Sequence, residues 1–136
     1  MASRLIIFDT SVFIDNLRAK KHKDRISAVS GLIRNSAVVL SELLRGATRQ
    51  DELEFIKNLT KNHPILAPTE KNWLESGEIL SRVYRENGYT PEKLRDLHFD
   101  VLIALTARNY GATVITSNRT AFELINRCKD FGLEIW

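Results

Sequence analysis

Short apolar runs of strand length alternate along this chain with longer stretches of helical period, and that alternation restricts the fold more than any other feature. Such a pattern builds an α/β domain with a mostly parallel sheet flanked by helices, because parallel neighbours need a helical crossover between them. Five strands are expected: Arg4 to Phe8, Ser36 to Leu40, Ile65 to Ala67, Ala112 to Thr116, and a short one around Leu133 to Trp136. The helices carry start and stop signals. Thr69 precedes a run with apolar positions at Trp73, Ile79, Leu80 and Val83 that Gly88 closes, and Thr90 with Pro91 opens the next segment. Gly111 ends the helix that holds Val101, Leu102, Leu105 and Ala107. With 136 residues, 43% of them hydrophobic, the chain can bury a core of its own. No repeat, low-complexity tract or Pro/Gly/Ser-rich linker divides it, so residues 1–136 are expected to form one domain.

Several classes of function drop out on composition. Cys128 is the only cysteine, which removes intramolecular disulfides and thiolate zinc sites. The opening MASRLIIF is too short an apolar stretch for a secretory signal, and no run approaches the ~20 residues that span a bilayer. A soluble cytoplasmic protein is expected. Twenty Lys and Arg against 17 Asp and Glu give a net charge of +3, which leans toward a polyanionic partner. The basic run Arg18 to Arg25 (RAKKHKDR) reads either as a solvated helix end or as a phosphate-contacting edge.

The acidic residues fall in a pattern on this scaffold. Asp9 stands at the carboxyl end of the first strand, and Glu42 follows the expected second strand by two residues, at the start of a helix. Asp100 sits early in HFDVLIALTARNYG, and the fourth strand is followed by Thr116, Ser117 and Asn118. All belong to strand ends or helix beginnings that can share the ligand-binding edge of a parallel sheet. Carboxylates brought together disfavour each other's ionised form unless a cation compensates. An oxygen-only donor set suits a hard ion such as Mg²⁺, which activates water for attack on phosphorus. Each acid also has a simpler reading. Asp9, Thr10 or Ser11 can cap the following helix, and Glu42 can complement a helix dipole. Asp100, beside a strongly apolar segment, is harder to explain without a partner.

Taken together, IIFDTSVFID, LSELLRGA, DVLIALTARNYGATVITSN and the closing GLEIW resemble the PIN domain, and most closely the VapC-type toxins of prokaryotic toxin–antitoxin pairs. The resemblance spans essentially the whole chain, in the expected order. It implies a five-stranded parallel sheet between helices and a Mg²⁺- or Mn²⁺-dependent endoribonuclease site. By position, Asp9, Glu42 and Asp100 match the family's first three acids, which are both catalytic residues and metal ligands. Thr10 or Ser11 corresponds to the hydroxyl beside the first acid, and Thr116 to the one before the fourth position. That fourth position, an acid in many members, is Asn118 here, and the nearby place that sometimes carries an acid is Ala121.

Asp96, four residues before Asp100, either approaches the metal from the same helix face or caps the start of that helix. His98 is an RNA contact, a proton-transfer group or a hydrogen-bonded structural histidine. Arg45, Arg49 and Arg119 are candidates for holding RNA phosphates, or else are ordinary solvated arginines. The partners implied are an RNA substrate, a cognate antitoxin and a second copy of the chain. Phe55, Ile56, Leu59, Trp73, Leu80 and Tyr84 supply either those protein contacts or core packing. Two other functions fit the same residues: a housekeeping PIN nuclease in RNA processing, and a catalytically weak PIN fold that binds RNA or protein, since Asn118 supplies no charge.

Overall fold

The computed structural model describes residues 4–136. Strand β1 (Leu5–Phe8) leads to helices α1 (Thr10–Ala19) and α2 (Lys23–Ala28), then β2 (Leu32–Ser36), α3 (Ala37–Gly46) and α4 (Gln50–Asn62). Strand β3 (Ile65–Leu66) is followed by α5 (Glu70–Asn87) and α6 (Pro91–Tyr110), and the chain finishes with β4 (Ala112–Thr116), α7 (Arg119–Cys128) and β5 (Gly132–Ile135). The five strands form one parallel sheet in the order β3-β2-β1-β4-β5. The unbroken run LIIF makes β1 the central strand, since Ile6, Ile7 and Phe8 are buried and a strand covered on both faces needs no polar alternation. From β1 the chain winds outward to β2 and β3 on one side, then returns to β4 and β5 on the other. The direction therefore reverses between β1 and β4, and in such sheets the crevice outside the strands' carboxyl ends at that point is where ligands bind.

The second strand departs from its expected position. It is Leu32–Ser36, and the residues Ala37 to Leu40 belong to α3. The β-branched pair Val38–Val39 favours a strand by propensity, but two tertiary facts outweigh it. The Ser36 hydroxyl accepts from the Val38 and Val39 amides at 3.2 and 3.3 Å, which starts the helix. Upstream, Leu32, Ile33 and Arg34 pair in register with Leu5, Ile6 and Ile7. Gly31 makes that approach possible: at φ 148° it lies so near β1 that a Cβ would stand 2.7 Å from the Arg4 carbonyl oxygen. Glu42 is consequently in the second turn of α3, beyond the first-turn region where the dipole acts most strongly.

Smaller differences follow the same logic. β3 ends at Leu66, and β5 runs Gly132–Ile135, leaving Trp136 to donate its backbone N–H to the Thr116 carbonyl at 2.8 Å. α6 is a single 20-residue helix capped by Thr90, so Asp100 lies in its middle and Asp96 is not its cap. Among the apolar positions considered for protein contacts, Ile56 is core, Phe55, Leu59 and Leu80 pack partly against it, and Trp73 and Tyr84 are exposed on α5. Among the described residues, no helix is long and apolar enough to cross a membrane.

Candidate active site

An open pocket of about 710 Å³ lies at the carboxyl ends of β1 and β4, and Asp9, Glu42, Asp96, Asp100 and Asn118 all line it. Asp9 arrives on the end of β1, its amide donating to the Ile115 carbonyl at 2.9 Å. It is both the cap of α1 and a wall of the pocket, so the two roles read from the sequence coexist in one side chain. Its Oδ2 accepts from the Ser11 hydroxyl at 2.7 Å, the Thr116 hydroxyl at 2.8 Å and the Ser11 amide at 3.4 Å. Among the described residues, every hydrogen bond to this carboxylate falls on Oδ2. Thr10 serves the second acid instead, donating to Glu42 Oε1 at 2.7 Å. The consecutive hydroxyls of Thr10 and Ser11 thus orient two different carboxylates.

Burial weakens the ionised form of all three acids, and neighbouring carboxylates add to it at Glu42 and Asp100. Burial raises the Asp9 pKa against the opposing effect of the Ser11 and Thr116 hydroxyls. Burial also raises Glu42, with the Asp9 charge adding to it, while the Thr10 bond and the Arg45 charge pull the other way. Asp100 is pushed up to about 8, first by burial, then by the charges of Asp9, Glu42 and Asp96. The charges of three other carboxylates acting on Asp100 are the electrostatic signature of a shared site.

The donor set is all oxygen, which suits a hard divalent cation. Among the described residues no three His, Cys, Asp or Glu side chains are already gathered as a metal cage. The acids face a common open pocket instead, as an Mg²⁺ ion that keeps several waters requires. The residues present therefore fit such an ion, with Asp9, Glu42 and Asp100 as the side chains that would hold it.

The supporting residues divide. Thr116 Oγ1, while donating to Asp9, accepts from the Asn118 amide at 2.9 Å. The Asn118 side chain caps α7 by accepting from the Ala121 amide at 3.4 Å. The Ser76 hydroxyl donates to the Trp73 carbonyl at 2.6 Å, so its contact with His98 Nε2 at 3.0 Å has the imidazole N–H as donor. His98 is thereby tethered to α5, the structural role, although it also reaches the pocket rim. Arg45 lines the pocket. Arg49 pairs with Asp51 and Glu52, and Arg119 with Glu123 at 2.7 Å, and neither is among the lining residues.

Two groupings of residues were not read from the sequence. Arg95 and Phe99 line the pocket beside Asp96 and Asp100. The available signal was helical spacing, since the two pairs run as adjacent four-residue stripes on α6. The second group stands behind Asp9. The Ser117 amide donates to Ser11 Oγ at 3.0 Å, and the Ser117 hydroxyl meets His22 Nε2 at 3.1 Å. His22, buried within the basic run, lies against the Trp136 ring at 5.4 Å between centroids, and the Arg25 guanidinium lies 5.5 Å from that ring. The rest of RAKKHKDR bends over the surface around Lys20, at φ 51°. No residue number hints that these groups meet.

Fold and pocket define a parallel α/β domain that presents an acidic site at its topological switch point. The PIN domain model matches residues 6–127, and the chain belongs to the PIN domain family. No curated protein sequence matches it significantly. Among solved structures it is similar to a chain of DNA-bound VapBC from Salmonella typhimurium, at 22% identity and a TM-score of 0.72, covering 100% of this chain and 99% of that one. A chain of VapBC-1 from nontypeable Haemophilus influenzae gives 22% identity and 0.70, covering 97% and 98%. A chain of VapBC-5 from Mycobacterium tuberculosis, a member of the VapBC family of toxin–antitoxin systems, gives 20% and 0.57, covering 96% of each. At these identities the likeness is one of fold.

Proposed function

We propose that this chain, as one PIN domain over residues 1–136, is a metal-dependent endoribonuclease that acts in the cytoplasm as the toxin of a toxin–antitoxin pair. The observation that carries the reading is Asp100, a half-buried carboxylate in the middle of α6 that faces Asp9 and Glu42 and accepts no hydrogen bond among the described residues. A helix gains nothing from such a group unless a cation shares it. The likeness in fold to VapBC chains supports the toxin role and an antitoxin partner, and assembly into a homodimer is part of the same proposal.

When bound, Mg²⁺ or Mn²⁺ supplies activation of water and stabilisation of charge on the phosphoryl oxygens. The chain's own residues prepare the site for that ion. Ser11 and Thr116 fix Asp9 through Oδ2, and Thr10 fixes Glu42 through Oε1, so these two carboxylates are held before substrate arrives. Arg45 on α3 and Arg95 on α6, which both line the pocket, hold the RNA backbone. Asn118 adds no charge, and its engagement in capping α7 favours the second reading, a module that binds RNA without cutting it.

Expression of the chain in a bacterial host tests the proposal. Wild type should arrest growth and Asp9→Asn should not, with equal soluble amounts of both. A mutant as toxic as wild type would sink the mechanism.

A further inference from the structure

The basic run Arg18 to Arg25 has no part in the acidic pocket. Its Arg18, Lys20, Lys21, Lys23 and Arg25 carry five positive charges against the single negative charge of Asp24, a net of +4, whereas the whole chain carries +3. All other residues therefore sum to −1, and the positive excess of the chain is confined to this run. The five cations are exposed and, among the described residues, none takes part in an ion pair. Elsewhere Arg49, Arg82, Arg95, Arg119 and Lys129 each hold a carboxylate. Asp15, the acid that precedes the run on α1, lies 3.5 Å from His22 instead. The run is also held in place. His22, 1% exposed, meets Ser117 Oγ at 3.1 Å and packs on the Trp136 ring, which the Arg25 guanidinium overlies at 5.5 Å with its charge intact. Among the described residues Lys20 is the one non-glycine residue at positive φ, 51°, a position that glycine fills with less strain. A solvated helix end needs neither a buried anchor nor a strained lysine. Two connections lead from the run to the acids. Ser117, held by His22, donates its amide to Ser11, which holds Asp9. Arg18 lines a narrow cleft between α1, α3 and α4 together with Ile14 and Glu42, and these two also line the acidic pocket.

We infer that Arg18, Lys20, Lys21, Lys23 and Arg25 form a second RNA-binding surface, a phosphate track outside the acidic pocket that holds the substrate's backbone beyond the cut. The inference rests on the nuclease reading above and adds where the RNA continues once it leaves the pocket. The match is one of charge. Fixed cations that no carboxylate neutralises displace the counterions of a polyphosphate chain, and that release drives binding. Lysines supply point charges, which position the backbone without reading the bases. The track therefore contributes affinity that is sensitive to salt and indifferent to sequence, while the acids alone carry out the cut.

The test titrates a fluorescein-labelled oligouridylate by anisotropy in EDTA, at salt concentrations from about 50 to about 200 mM. Wild type is compared with a track variant, Lys20→Gln with Lys21→Gln and Lys23→Gln. A control, Lys57→Gln with Lys61→Gln and Lys71→Gln, removes the same charge from exposed positions of α4 and α5. Each phosphate contact to a single strand adds about 0.7 to the slope of log affinity against log salt, so the track variant should lose about 2 from that slope. Its deficit relative to wild type should accordingly shrink by roughly 20-fold across the salt range, while the control keeps the wild-type slope. In Mg²⁺ or Mn²⁺ the track variant should raise KM for RNA that wild type cuts, with kcat within about twofold, because the acids are untouched. An unchanged slope in the track variant, or an equal loss in the control, would overturn the inference. So would a polyglutamate peptide that competes as well as unlabelled oligouridylate, since the run would then be a dock for an acidic protein. A slope lost in the track variant without cleavage by wild type in any metal would keep the track and refute the nuclease. Cleavage by the track variant with wild-type KM and slope would keep the nuclease and refute the track. A wild type that neither binds nor cuts RNA refutes both.

Discussion

Replacing Asp100 by asparagine should stabilise the metal-free protein at neutral pH while abolishing its activity. In the folded chain this carboxyl is pushed up to about 8, against an ordinary 3.8. A group whose folded pKa lies above its unfolded one favours folding at low pH, and that contribution is lost as pH rises through the folded value. The window therefore runs from about pH 4 to about pH 8. At about 1.4 kcal/mol per pH unit the full interval gives a ceiling near 6 kcal/mol, and solvent reaching the open pocket reduces it to about 2–3 kcal/mol. An amide of the same shape removes the charge, so at pH 8 in EDTA Asp100→Asn should melt roughly 5–10 °C above wild type, and near pH 4 the two should coincide. Thermal unfolding followed by circular dichroism at the two pH values reads this directly. Added Mg²⁺ should raise the melting temperature of wild type much more than that of the mutant, because only wild type keeps the full ligand set. A mutant less stable than wild type at pH 8, or a difference that does not change with pH, would refute the account of converging buried charge.

Thr116→Val removes the hydroxyl that links Asp9 to the Asn118 amide, and should cost about 1–2 kcal/mol in urea unfolding and lower kcat about tenfold. Native stability without loss of rate would show that Asp9 needs no such positioning. Trp136→Ala withdraws a ring packed against Phe8 and His22, and should destabilise by about 2–3 kcal/mol, read by the same denaturation. Arg45→Ala should weaken RNA binding in an anisotropy titration, whereas Arg49→Ala, whose arginine is paired away from the pocket, should leave it within about twofold. The reverse order would place the RNA path elsewhere.

The parts of the site legible in the sequence were those fixed by local rules. Asp9 could be located because a buried strand ending in a carboxylate marks the sheet edge, and Asp100 because an acid beside an apolar helix demands a partner. Glu42 reached the pocket even though its strand was misplaced: Ser36 capping turned Val38 to Leu40 into the first turn of α3, and the helix still directs residue 42 to the same edge. What stayed hidden depended on distant pairing. His22, Ser117 and Trp136 come from three separate elements, and nothing in their local sequence announces that they brace the residues behind Asp9. Arg49 and Arg119 lie near the acids in sequence, yet local carboxylates hold them. Phe99 escaped notice because a phenyl group in an apolar helix reads as core until its exposure is known.

Incubation of purified protein with total RNA in EDTA, Mg²⁺ or Mn²⁺, alongside Asp9→Asn and Asp100→Asn, tests the central claim most directly. The account predicts discrete fragments from wild type in a divalent metal, none in EDTA and none from either mutant. Cutting that persists in EDTA, or in both mutants, would contradict an active site built on these carboxylates.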